Sequence, residues 1–258
     1  MTSLAYLRVC YLVGRRNVLN VARIPGNVVT VVGLPVLVLI MFSGAFAGLT
    51  ALPGFPARDS LTWVTPYAVA MGAVFTGLGS AFNVARDVAN GFMTRLLVSA
   101  APQSSLILGE VAGSIGRALL QLAAVLVIAL PAGLSMPGGA AASVALLLLA
   151  SAGIATWSGL LALAIMYRLR SAQAIGLVSA VVLAVGLLST GSVPLSYQSG
   201  WLHMIARLNP LTEVLGMSRQ GFVGPVTRGG TWPGVVVLAA VTLALLPLAW
   251  TGLRRLGP

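Results

Sequence analysis

The sequence predicts an all-α integral membrane protein with six transmembrane helices. Three observations carry that expectation. Apolar residues make up 58% of the 258 and charged residues only 7%, where a soluble domain carries about 25% charged. Mean hydropathy is +1.00. Apolar runs long enough to cross a bilayer, about 20 residues each, recur along the chain.

The predicted spans are residues 28–49, 62–84, 106–130, 140–167, 174–193 and 232–253. Glycine and proline inside them are tolerated because neighbouring helices satisfy the freed backbone groups. An even number of spans puts both termini on one side. Arg8, Arg15, Arg16, Arg23, Arg86, Arg95, Arg168, Arg170, Arg254 and Arg255 fall on that side, against Arg58, Arg207, Arg219 and Arg228 on the other. The positive-inside rule therefore predicts cytoplasmic amino and carboxyl ends in a plasma (inner) membrane. The formal charge is +11, but the arginines sit between apolar runs. They read as topological signals that touch membrane lipids, and no nucleic-acid partner is expected.

The whole chain, 1–258, reads as one transmembrane unit. Residues 1–25 form an interfacial segment and residues 28–253 the six-helix bundle. Ser3 is the candidate cap of an amphipathic helix lying in the membrane surface, with Leu4, Leu7 and Tyr11 on one face. Every one of the fifteen cations is Arg. A complete phosphate-binding P-loop needs a lysine, so any ATP that drives this chain is expected to bind another polypeptide.

Residues 83–102, between the second and third spans, are charged and compatible with a helix. Asp87 near the start and Arg95 later would suit a helix dipole, and Val88, Phe92 and Leu96 share one face. Residues 194–231 form a long outer loop. Asn209 is a helix cap and Pro210 a first helical residue. Leu211, Val214, Leu215 and Phe222 would face lipid or protein, whereas Glu213 and Arg219 would not. A short re-entrant helix before the sixth span is the expectation.

Within the third span, Arg117 lies about 11 residues from the start, or ~17 Å along a helix. A cation near mid-membrane costs about 2.5–3.5 kcal/mol and needs a partner or water. Its side chain leans back along the helix toward Glu110. These two are the intramembrane polar candidates. Small residues at four-residue spacing (Gly44 with Gly48, Gly109 with Gly113, and Ser151, Ala155 and Gly159) predict close helix approach. Trp63, Tyr197, Trp201 and Trp232 fall near outer boundaries and Tyr167 near an inner one, as anchors. His203 has no carboxylate or cysteine cluster around it, so no metal site is expected. Cys10 is the only cysteine, which excludes an internal disulfide.

The pattern Asp87, Gly91, Arg95-Leu96, Pro102 and Gly109 resembles the signature of type-2 permeases of ATP-binding-cassette exporters, in particular the daunorubicin-resistance-type permeases. Asn209-Pro210-Leu211-Thr212 with Arg219 is similar to that family's second signature. The resemblance covers residues 5–255, departing at Glu110, where many members carry a basic residue. It implies that this chain is a non-catalytic membrane subunit. A second permease, identical or paralogous, would pair with it, and two cytoplasmic ATPase subunits would carry the ATP and Mg. A coupling helix between the second and third spans would engage the ATPase through Asp87, Gly91, Arg95, Leu96 and Pro102. No cofactor is expected on this chain itself. The implied cargo is hydrophobic or amphipathic, a drug-like natural product or a lipid, moved outward. An ion-coupled carrier or channel, or a polysaccharide or glycolipid exporter, is the alternative; a lipid-modifying enzyme lacks the carboxylates and histidines it would need.

Overall fold

In the computed structural model, residues 3–91, 102–169, 171–191 and 193–255 are described. The predicted coupling residues Arg95 and Leu96, and with them Phe92, lie outside that set. The described residues are helical with no strand among them. In chain order the helices are α1 Ser3–Arg23, α2 Pro25–Ala45, α3 Ser60–Ala89, α4 Gln103–Ala129 and α5 Ala140–Leu169. Then come α6 Ala172–Leu187, α7 Gly200–Leu208, α8 Pro210–Val223 and α9 Arg228–Arg254. Helices α2, α3, α4, α5 and α9 are each long and apolar enough to cross a membrane, and α6 is a shorter apolar helix.

Local chemistry explains the boundaries. The Asp59 carboxylate accepts from Thr62 N at 2.7 Å and caps α3. Pro102 caps α4 in an extended conformation, and Ser105 donates back to its carbonyl from N at 2.9 Å and from Oγ at 2.6 Å. Thr227 caps α9 by accepting from Gly230 N at 3.2 Å. In α2 the turn Val29–Gly33 widens to π geometry just before Pro35. A proline ring clashes with the carbonyl four residues earlier, and a wider turn relieves that clash.

Helix α3 is the axle of the bundle, with Val64, Ala68, Val74, Ala81 and Val84 fully buried. It crosses α5 at Gly77, where an added Cβ would sit 2.7 Å from the Ala155 carbonyl. No side chain fits that gap, so backbone meets backbone there. The Ser151, Ala155 and Gly159 ridge of α5 lies in the same seam. The Gly109 and Gly113 pair receives α1: a Cβ on either would lie 2.7 Å from Val13 or Asn17. Gly44 and Gly48, by contrast, meet nothing within 4 Å in this chain.

Several expectations change. Helix α1 forms, but it docks on α4 through Cys10, Val13, Gly14 and Asn17, while Leu7 and Tyr11 are 64% and 65% exposed. The predicted apolar face is therefore the lipid-facing one, and a second, smaller-residue face makes the protein contact. The Leu4 side chain lies outside the described residues. Ser3 stands within the helix rather than ahead of it. Asp87 does not begin a helix; it sits in the last turn of α3. Gly91 follows that helix with φ +64°, a left-handed conformation suited to glycine after a helix C-cap.

The fifth predicted span, 174–193, ends early: α6 stops at Leu187. Ser189 Oγ bonds the Gly186 carbonyl at 2.6 Å and breaks the ladder. At 16 residues, α6 reaches about 24 Å at 1.5 Å per residue, short of the ~30 Å hydrocarbon core. Trp63 and Tyr167 are buried in the bundle rather than facing lipid, whereas Trp201 and Trp232 are exposed. Helix α7 has no counterpart among the expected elements. Its exposed Trp201, Met204, Ile205 and Leu208 recur at one-turn spacing and form an outward apolar face.

Candidate functional site

Two polar clusters interrupt this apolar bundle, one at each end of α3. At the α1 end, Arg16 bridges helices. Its guanidinium donates to both Asp87 carboxylate oxygens, at 3.3 and 2.5 Å, and lies 3.8 Å from Glu110 Oε1. The neighbouring Asn17 donates from Nδ2 to Glu110 Oε2 at 2.8 Å. Glu110 is only 3% exposed, and a buried carboxylate needs such partners. Asp87 sits where the α3 dipole is negative, which disfavours an anion; Arg16 is what offsets this.

The polar line continues along α4 at helical spacing, through Glu110, Ser114, Arg117 and Gln121. Ser114 Oγ and Ser80 Oγ lie 2.5 Å apart. Arg117 Nη2 is within 2.8 Å of the Thr76 carbonyl, 3.0 Å of Ser80 Oγ and 3.4 Å of Ser114 Oγ. Gln121 Nε2 donates to the Val69 carbonyl at 3.0 Å. Arg117 leans toward the α1 end as its helical position dictates, but it stops at this hydroxyl pair. Among the described residues Glu110 is held by α1 instead.

At the far end Arg219 overturns its expected outward orientation. It is 3% exposed, with its guanidinium carbon 3.8 Å above the Trp63 ring. Nε donates to the Trp63 carbonyl at 3.2 Å, Nη1 to the Thr190 carbonyl at 2.6 Å, and Nη2 to the Gly191 carbonyl. Three backbone acceptors replace a counter-ion. The turn after α6 needs these bonds, because Ser189 and Thr190 are buried and irregular backbone buried in protein must be satisfied there. Asn209 performs its predicted capping, accepting from Leu211 N at 3.0 Å, and also donates to the Val185 carbonyl at 2.7 Å. Pro210 is the first residue of α8, and Glu213 is exposed as expected.

The chain matches the ABC-2 type transporter family over residues 8–223. It belongs to the ABC-2 type transporter family. A search of curated proteins returned no match. The match to this permease family spans α1 through α8, so both polar clusters lie inside it.

The permease brings its predicted site residues into two groups. Asp87, Gly91, Pro102, Glu110 and Arg117 gather along α3 and α4, and Asn209, Pro210, Glu213 and Arg219 along α8. Arg16, Asn17, Ser80, Ser114 and Gln121 join the first group without having been predicted as site residues. The 110–114–117–121 spacing is a legible signal; the Arg16 contacts span 71 residues to Asp87 and carry none. Among the described residues no group of three or more His, Cys, Asp or Glu could hold a metal.

Cys10 reports on the α1 contact. Its thiol donates to the Ser105 carbonyl at 3.5 Å, and burial pushes the thiol pKa up. Thiolates, not thiols, are alkylated. Maleimide labelling of Cys10 at neutral pH is expected to be severalfold slower than that of a Leu7→Cys, Cys10→Ser variant. Equal rates would mean that α1 is undocked in solution.

Proposed function

We propose that this permease subunit moves a hydrophobic or amphipathic cargo, a drug-like natural product or a lipid, outward across the plasma membrane. A separate cytoplasmic ATPase energises it. Two such ATPase subunits serve a pair of permeases, identical or paralogous, and carry the ATP and Mg; this chain is non-catalytic. Both of its termini are cytoplasmic.

The observation that carries this reading is the convergence of Arg16, Asp87 and Glu110. A surface helix, the end of α3 and the start of α4 are tied together, next in sequence to the 92–101 segment of the coupling reading. A push delivered to that segment reaches three helices through charge-assisted bonds, which are about twice as strong as neutral ones. The absence of lysine supports an external ATPase, since the chain has no complete P-loop. The cargo class rests on apolar exposure: Leu37, Ile40 and Met41 on α2 and Leu177 and Val181 on α6 face outward. These surfaces suit an apolar cargo or a second permease better than a polysaccharide.

The test is reconstitution with a candidate cytoplasmic ATPase subunit. Copurification and ATP-dependent movement of an amphipathic fluorescent cargo are expected. Transport by the purified permease without ATP or any partner would overturn the reading.

A further inference from the structure

Between the first turns of α4 and the last turns of α9 lies a groove of about 390 Å³, lined by Ser104, Ile107, Leu108, Leu246, Pro247 and Trp250. Its walls are apolar and open outward: Leu108 and Leu246 are 44% and 41% exposed. Pro247 stands inside α9, and its ring cannot donate the backbone bond of a regular turn. One turn beyond Trp250, the Arg254 guanidinium lies 4.8 Å over the indole ring. Arg168 donates to Thr251 Oγ1 at 2.9 Å, so a second cation is held at the residue that follows Trp250. The rim also faces the N-terminus of α4, which has no side-chain cap and carries positive dipole charge.

The acidic side chains are all placed elsewhere. Asp59 caps α3, Asp87 and Glu110 are engaged with α1, and Glu213 is exposed on α8. Among the described residues, an apolar slot thus ends in a lip that carries cationic and no acidic side chains.

We infer that this groove binds an acyl chain of an anionic phospholipid from the surrounding leaflet, with Arg254 holding the headgroup phosphate. The indole both walls the slot and steers the guanidinium, so tail and headgroup are recognised by adjacent turns of one helix. The inference is independent of the cargo. It concerns a lipid that resides on the permease, selected by charge. A zwitterionic lipid fits the slot equally well but gains less at the lip.

Trp250 supplies the readout. The full chain is placed in nanodiscs containing trace bromine-tailed phosphatidylglycerol or bromine-tailed phosphatidylcholine. Quenching of Trp250 is taken as the difference between wild type and Trp250→Phe. The anionic lipid is expected to quench at about fivefold lower mole fraction than the zwitterionic one, the effect of one basic side chain near a lipid surface. Arg254→Gln should remove most of the preference, and Arg254→Lys should keep most of it. Equal quenching by both lipids in the wild type overturns the proposal. Absence of Trp250 quenching by either lipid also overturns it, since another helix or a second copy then fills the groove. Both of these outcomes are measured on the wild type and stand even if a variant does not fold.

Discussion

Arg219→Met is expected to unlatch the far end of the bundle and to lower its stability by about 3 kcal/mol, since orphaned buried acceptors cost roughly 1–3 kcal/mol apiece. The Trp63, Thr190 and Gly191 carbonyls would all lose their donor. Methionine fills similar volume, so the loss measures the bonds rather than a void. Arg219→Lys should recover little. A lysine ammonium is a single point that cannot fork across acceptors from α3 and the α6 turn while also lying flat on Trp63. The measurement is the temperature at which purified protein loses monodispersity. A drop of about 6–12 °C corresponds to this loss at 2–4 °C per kcal/mol for a chain of this size. An unchanged midpoint for Arg219→Met would show that the guanidinium does not hold the turn.

The second large effect is expected at Asp87 and Arg16, and it is functional rather than structural. The pair is partly exposed, Arg16 at 29% and Asp87 at 16%, and such pairs contribute about 1 kcal/mol or less to stability. Asp87→Asn and Arg16→Gln should therefore fold. Under the proposed function each should cut permease-stimulated ATP hydrolysis by about tenfold, within the usual range of coupling energies. The double variant should be no worse than the poorer single one, because both remove the same link. A charge swap is not expected to rescue. Aspartate at position 16 would face Glu110, now 3.8 Å from the guanidinium, and two carboxylates would share one site. Additive losses in the double variant would show that the two side chains act separately.

Much of the bundle was legible from hydropathy, because a bilayer imposes length and apolarity on every span. Helices α3, α4, α5 and α9 begin and end within a few residues of expectation for that reason. The departures share one cause: each residue's setting is decided by a distant partner. Arg219 looks outward when its own helix is considered alone, and only the unfinished turn after α6 draws it in. Asp87 looks like a helix start because the sequence does not reveal that α3 runs on to Ala89. Leu7 and Tyr11 are the obvious apolar face of α1, yet the docking face is built from Cys10, Val13, Gly14 and Asn17, whose fit shows only opposite Gly109 and Gly113. Helix α7 was within reach; its tryptophan and aliphatic residues recur at helical spacing, although Trp201 taken alone looks like a boundary anchor.

The Asn17–Glu110 bond joins residues 93 apart in the chain. During synthesis at about 5–20 residues per second, α1 therefore precedes its only carboxylate partner on α4 by several seconds. For that interval the α4-binding face of the nascent amino-terminal helix is uncovered, and the helix rests on the lipid surface on its exposed Leu7–Tyr11 side. When α4 arrives, its acidic side chain enters hydrocarbon with a ready-made amide to receive it. The two-faced character of α1 thus sets an order of biogenesis: parking first, locking later.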